Sequence, residues 1–126
     1  MDEVAAGTVL VIDDDPVVVQ LLKVSLEMEG YEVLSAGDGE LGLSRARLEH
    51  PDMVILDVMM PGMDGLDVAR RLRQDEATRS LPILILSAKA QVPDIHAGRA
   101  VADDYVTKPF DTMELLDRVS ALIQGG

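Results

Sequence analysis

Three consecutive carboxylates, Asp13, Asp14 and Asp15, follow the apolar run "TVLVI" at residues 8–12. Like charges crowded beside buried residues repel and are costly to desolvate, so they call for a counter-charge. A fourth acid, Asp57, closes a second apolar run, "DMVILD". Ser87 closes a third, "PILILS", and Thr107 and Lys108 end a fourth, "DYVTK". Hard oxygen ligands in a partly open site suit Mg²⁺, which keeps several of its waters. A carboxylate beside Mg²⁺ and an ammonium can act as a nucleophile toward phosphorus and form a carboxyl phosphate. In such chemistry the protein positions groups and neutralises the phosphoryl oxygens. Mg²⁺ would take one oxygen, Lys108 another and the Ser87 hydroxyl a third. These are the parts of a phosphoacceptor site, if the fold brings them together.

The elements that must do so are legible as alternating patterns. Apolar runs at 8–12, 31–36, 52–57, 82–87 and 104–107 read as strands. The first, third and fourth are nearly continuous, as in parallel strands covered on both faces, and the other two read as edges. Helical patterns lie between them. Residues 16–29 open on Asp15 as N-cap and Pro16, place Val17, Leu21, Leu22, Ser25 and Leu26 on one face, and stop at Gly30. Residues 39–49 carry Leu41, Leu43, Ala46 and Leu48. Residues 64–75 carry Leu66, Val68, Ala69 and Leu72, with Arg70, Arg71 and Arg73 outward. A weaker pattern at 93–101 contains Gly98. The last, 111–123, begins with Asp111 and Glu114 spaced as a capping box and turns Leu115, Leu116, Val119, Leu122 and Ile123 inward. Strict alternation predicts an α/β domain with a parallel sheet and right-handed crossovers. Ligands of such sheets bind beyond the carboxyl ends of the strands, where the strand order reverses. That edge is where Asp13, Asp14, Asp57, Ser87 and Lys108 fall.

Taken singly, each residue has an ordinary explanation. Asp15 is a helix cap, Asp57 a turn residue before "MMPGMDG", Ser87 a strand-end hydroxyl and Lys108 a surface lysine. Coincidence at all four strand ends explains them poorly. Bulk properties narrow the classes further. At 126 residues, 48% hydrophobic and 27% charged, the chain has the composition of one globular domain. With no cysteine there is no disulfide framework and no thiolate metal site. A net charge of -12 disfavours direct contact with nucleic acid or anionic membrane. "MDEVAAG" lacks the regions of a signal peptide, and no apolar run reaches the ~20 residues of a membrane span. A cytoplasmic domain is expected.

The segments "VLVIDDDP", "PDMVILDVMMPGMDG", "ILILSAKA" and "DDYVTKPF", in order, resemble the receiver domain of two-component response regulators, of the chemotaxis-regulator type. The resemblance covers about 8–124 and implies a single receiver domain over 1–126 with no effector domain. It implies a flavodoxin-like, doubly wound (βα)5 three-layer sandwich with a five-stranded parallel sheet of order 2-1-3-4-5. It makes Asp57 the phosphoacceptor, with Ser87 and Lys108 on the phosphoryl group. Asp14 would bind Mg²⁺ (or Mn²⁺ in its place) directly, Asp13 mostly through water, and Met59 through its backbone carbonyl. Ser87 and Tyr105 would be the switch pair, and Lys108-Pro109 a cis peptide. A histidine kinase or phosphotransfer protein would donate the phosphoryl group. The surface of the fourth helix, last strand and fifth helix would then change for a partner, a missing effector domain, or a phosphorylation-dependent dimer of an otherwise monomeric chain. The domain would catalyse its own phosphorylation and slow dephosphorylation, with Met59 and Lys89 flanking the group.

Two departures stand out. Val101 occupies a place where the family usually has glycine, and the stretch from Ser87 to Tyr105 is about one residue short. Together with Gly98 they predict a short or mobile fourth helix. Two other classes compete. A Mg²⁺-dependent phosphatase would need a second acid two residues after Asp57, where Met59 stands. A phosphorylation-independent interaction module would be expected to have lost the acids or the lysine. No glycine-rich phosphate loop follows the first strand, which argues against a dinucleotide carrier.

Overall fold

A computed structural model describes residues 6–88 and 92–125, the side chains of 92–94 excepted. Five strands alternate with five helices. They are β1 (Thr8–Ile12), α1 (Pro16–Met28), β2 (Glu32–Ala36), α2 (Gly39–Glu49), β3 (Met53–Leu56), α3 (Gly65–Gln74), β4 (Ile83–Ser87), α4 (Val92–Arg99), β5 (Asp104–Thr107) and α5 (Thr112–Gly125). The strands are all parallel, in the order β2-β1-β3-β4-β5. β1, β3 and β4 are interior, as their continuous apolar runs require, and β2 and β5 are the edges.

Alternation along the strands feeds two cores. Leu10, Ile12, Val54, Leu56, Ile83, Ile85 and Tyr105 meet Ala46, Val68 and Leu72 of α2 and α3. Val9, Val11, Met53, Ile55, Leu84, Leu86 and Val106 meet Leu22 and Leu26 of α1 and Leu115 and Val119 of α5. Carboxylates start the helices. Asp15, Asp38 and Asp64 accept from the backbone N–H of Val17, Leu41 and Leu66 at 2.9, 2.8 and 2.9 Å. Asp111 accepts from Glu114 at 3.1 Å, as the capping-box spacing predicts, while the Glu114 carboxylate pairs with Arg118 at 3.0 Å. At the other end of the sheet, carboxylates satisfy the orphan N–H groups of strand starts. Asp52 accepts from Thr8 at 2.7 Å and Asp103 from Ile83 at 2.8 Å.

Two helical faces differ from their expected orientation. Val17 and Leu21 are exposed, and α1 buries Leu22 and Leu26 instead. Leu41 and Leu48 are also exposed, because α2 buries Gly39, Gly42 and Ala46 instead, with Gly39 against Val68 of α3 and Gly42 against Ile12 of β1. A β-carbon on Gly42 would come within 2.5 Å of Ile12 Cδ1, so the approach excludes any side chain. Arg73 departs from the outward reading as well. Its guanidinium turns to the backbone carbonyls of Val101, Arg79 and Leu81 at 3.0, 2.9 and 2.6 Å and to Asp103 at 2.8 Å.

The fourth helix is short, as expected, at eight residues. Val101 is not strained. Among the described residues, His50 (φ 51), at the end of α2, is the one non-glycine at positive φ. The N–H groups of Val101 and Ala102 both bond to the Gly98 carbonyl, at 3.1 and 2.9 Å, and close the helix without a left-handed residue. The Lys108-Pro109 bond is cis, in line with the resemblance.

Candidate phosphoacceptor site

The sheet's own hydrogen bonds bring the polar residues together. Beyond the last β1 residue, the Asp13 N–H donates to the Ala36 carbonyl at 3.1 Å. Beyond β3, the Asp57 N–H donates to Ile12 at 2.9 Å. Both acids are thus held at the same rim, on either side of the point where the chain reverses its direction across the sheet. At the far strand the Lys108 N–H donates to the Ser87 carbonyl at 2.8 Å, so these two residues are tied through the backbone. Thr107 is the register partner of Ser87.

Oxygen atoms of Asp13, Asp14 and Asp57 lie within 4.8 Å of one another. Asp13 and Asp57 are buried at 3% and 5% exposure, whereas Asp14 faces solvent. The Lys108 ammonium reaches over the pair, 3.0 Å from Asp13 Oδ2 and 3.7 Å from Asp57 Oδ2. The other Asp13 oxygen accepts from the Asp15 N–H at 2.9 Å. The other Asp57 oxygen accepts from the Met59 N–H at 2.9 Å. Each buried carboxylate therefore has one oxygen fixed by backbone and one turned to the lysine.

Burial pushes the Asp57 carboxyl above its usual range. The Met59 N–H and the Lys108 ammonium work against this, while the charges on Asp13 and Asp14 reinforce it. Three carboxylates against one ammonium leave an excess of negative charge at the partly buried rim. That excess, with an all-oxygen donor set, fits a hard divalent cation.

The sequence places these four residues and Ser87, fully buried at 0% exposure, at one rim, and the fold does the same. Met59 is half exposed at 50%, and its N–H rather than its side chain engages Asp57. Tyr105 is not at the rim; its ring lies in the core with Ile85. Lys89 lies outside the described residues. The sequence assigns Gly65 only to the turn "MMPGMDG", and the structure gives it a second place. Its N–H donates to the Val58 carbonyl at 3.3 Å, and a β-carbon there would stand 2.5 Å from the Asp57 carbonyl oxygen. The start of α3 thus presses directly on the backbone of the candidate acceptor, and a glycine after a capping Asp64 is the only trace of this in the sequence.

The sequence profile of the response regulator receiver domain matches residues 9–120. The chain belongs to this family. Receiver domains are the phosphoacceptor modules of two-component response regulators. Among curated relatives, this receiver domain is 47% identical over 117 residues to the DNA-binding dual master transcriptional regulator RpaA of Synechocystis, covering 92% of this chain and 48% of that one. It is 44% identical to the alkaline phosphatase synthesis transcriptional regulatory protein PhoP of Bacillus subtilis, again covering 92% of this chain and 48% of the relative. The chain thus spans about half the length of these relatives. Among solved structures, the receiver domain of Francisella response regulator 1452 superposes with a TM-score of 0.87 at 34% identity, over 94% of this chain and 98% of that one. Chemotaxis protein CheY4 of Vibrio cholerae gives 0.87 at 32% identity, over 94% and 99%. Among the described residues, no helix is long and apolar enough to cross a membrane.

Proposed function

We propose that Asp57 takes the phosphoryl group, from a sensor histidine kinase or a histidine phosphotransfer protein. The observation that carries the reading is the convergence at one rim: a buried carboxylate, two further acids within 4.8 Å, and a lysine 3.7 Å away. The Asp57 oxygen that faces Lys108 is the nucleophile, and the oxygen held by Met59 keeps the carboxyl group oriented. Lys108 then moves from pairing with the carboxylates to pairing with the phosphoryl oxygens. The Ser87 hydroxyl bonds to the same group. Mg²⁺ suits the acidic cluster; Asp14 would hold it directly and Asp13 mostly through water, with Asp57 and the Met59 carbonyl sharing it. When bound it neutralises both the acids and the phosphoryl oxygens. Hydrolysis returns Asp57 to its resting state, so the domain catalyses its own phosphorylation and dephosphorylation.

The output is the surface of α4, β5 and α5, read by a partner, by an effector domain such as a transcriptional regulator carries, or by a second copy. Residues 8–124 form the receiver core, and the reading places the protein in the cytoplasm without direct nucleic-acid contact. The deciding experiment follows intact mass after incubation with acetyl phosphate. One phosphoryl group per chain, dependent on Mg²⁺ and absent in Asp57→Asn, supports the reading. No adduct with any donor would favour a phosphorylation-independent interaction module. Turnover of unrelated phosphomonoesters would favour a phosphatase.

The donor has a surface to dock on. Val17, Leu21, Val24 and Met28 are exposed at 74%, 47%, 45% and 80% and share one face of α1, starting beside the acids. Substituting Val17→Asp together with Leu21→Asp is expected to slow transfer from a protein donor by at least ~10-fold. Uptake from acetyl phosphate should be much less affected, since both side chains lie on the exposed face of α1 and neither is among the groups that meet at the rim. Equal rates from the protein donor before and after substitution would remove α1 from the docking surface.

A further inference from the structure

Two copies of so acidic a chain repel each other over most of their surface, and one face escapes this. The net charge is -12. Helix α2, however, holds two arginines and two acids, and α3 three arginines and one acid, with Asp75 capping its end. Arg73 is turned inward, so the outward charges of this layer cancel. Along the outer side of α2 stand Leu41 and Leu48, 48% and 77% exposed. They are two helical turns apart on one face, with the exposed Ser44 midway between them. The opposite face of α2 is used by the core, through Gly42 and Ala46.

Charges beside this stripe form an alternating square. Toward one end Glu40 Oε1 stands 3.7 Å from Arg71 Nη1, and toward the other Arg47 Nε stands 2.8 Å from Asp75 Oδ2. These four side chains ring one hollow of about 290 Å³, lined also by Leu43 and Ser44. On α2 the acid comes first and the base second; on α3 the base comes first and the acid second. Both pairs reach solvent, where such bonds are weak and can be shared with a second molecule. Arg45 stays out of the pattern, bound to the Ser35 carbonyl at 2.9 Å and lying 3.8 Å from Glu49.

We propose that this face binds a second copy of the chain, with α2 lying antiparallel on α2 about a two-fold axis near Ser44. A half turn across the helices exchanges the two ends of the square. Glu40 then meets the partner's Arg47, and Arg71 meets the partner's Asp75, so every corner faces its opposite. A half turn along the helices would match the charges equally well, but would lay the leucines on the charged face of α3. The antiparallel arrangement instead sets Leu41 on the partner's Leu48. The face lies across the sheet from α1, whose side chains pack in the other core, so α1 stays open to a donor. The dimer uses neither the rim nor the surface of α4, β5 and α5, and it stands whether or not Asp57 is the acceptor.

Sedimentation equilibrium of the chain, carried up to ~1 mM, should show a reversible dimer. A monomer throughout overturns the proposal and leaves the face to a different protein. Glu40→Arg and Arg47→Glu each set like charges opposite one another twice in the dimer, and each should weaken it by at least ~10-fold. Mixing the two variants should restore association, because each then meets its opposite in the other. A mixture that associates no better than either variant alone overturns the pairing. Disulfide trapping tests the orientation, since the chain has no cysteine of its own. Ser44→Cys should cross-link to itself under mild oxidation much faster than Gln20→Cys, an exposed position on α1. Equal rates overturn the antiparallel arrangement, even where a dimer sediments.

Discussion

Asp57→Asn is expected to abolish phosphoryl uptake and to make the resting protein more stable at neutral pH. Loss of uptake follows from loss of the nucleophilic oxygen that faces Lys108. The gain in stability follows from the cost of holding the Asp57 carboxylate buried beside Asp13 and Asp14. Burial places the folded-state pKa of Asp57 above its ordinary value of 3.8, so the folded chain binds that proton more readily than the unfolded one. Stability therefore falls as pH rises from 3.8 through the raised value, and the penalty is complete above it. Below 3.8 the group is neutral in both states and the penalty vanishes. Asparagine keeps an oxygen for the Met59 N–H and carries no charge, so the Tm advantage of the variant should be absent at the acidic end and full at pH 7. Mg²⁺ should then narrow the gap by stabilising the parent, by about 1.4 kcal/mol at a tenfold excess over its Kd. Thermal scans from pH 3 to pH 7, with and without Mg²⁺, measure all three effects. A variant less stable than the parent at pH 7 without Mg²⁺ would show that the carboxylate is net stabilised where it stands.

Gly65→Ala should be the most damaging single methyl group in the site. The added carbon would lie 2.3 Å from Val58 Cα and 2.5 Å from the Asp57 carbonyl oxygen, both backbone atoms that cannot swing aside. Relief requires moving either the start of α3 or the Asp57–Val58 segment. The expected cost is about 3 kcal/mol, or roughly 10 °C in Tm. Because the acceptor's own backbone must shift, uptake from acetyl phosphate should fall even below the melting transition. Gly37→Ala serves as the control, since nothing lies within 4 Å of its added carbon. Normal uptake in a folded Gly65→Ala protein would mean that the pressure of α3 on this segment does not matter to the chemistry.

Strands were readable because each interior strand is a nearly continuous apolar run, and the order of the sheet came from the resemblance to receiver domains. The rim residues were readable because each follows a strand. Helix faces were harder. α1 carries apolar residues nearly all round, with Val17, Val18, Val19, Leu21, Leu22, Val24, Leu26 and Met28 in thirteen residues, so periodicity alone does not choose its buried side. α2 buries glycines, which carry no hydrophobic signal, because the space facing Gly42 is taken by Ile12 and that facing Gly39 by Val68. Arg73 looks like a solvent-facing charge on an amphipathic helix, and only the neighbouring carbonyls of Arg79, Leu81 and Val101 give it a reason to turn in. Such partners are set by tertiary structure and leave no local pattern. Val101 raised an expectation of strain that the bonds to Gly98 remove.

Parallel strands all finish at the same rim, so the reactive residues collect at one end of the sheet. The opposite end is fastened by other carboxylates: Asp52 on Thr8, and Asp103 on Ile83 and Arg73. Acids at one end thus hold the chain together, and acids at the other hold charge in waiting for a ligand. These two tasks draw on different residues with no shared side chain. Substitutions that retune signalling can accumulate at one pole without loosening the clasp at the other, and the same scaffold can drift toward new partners while keeping its shape.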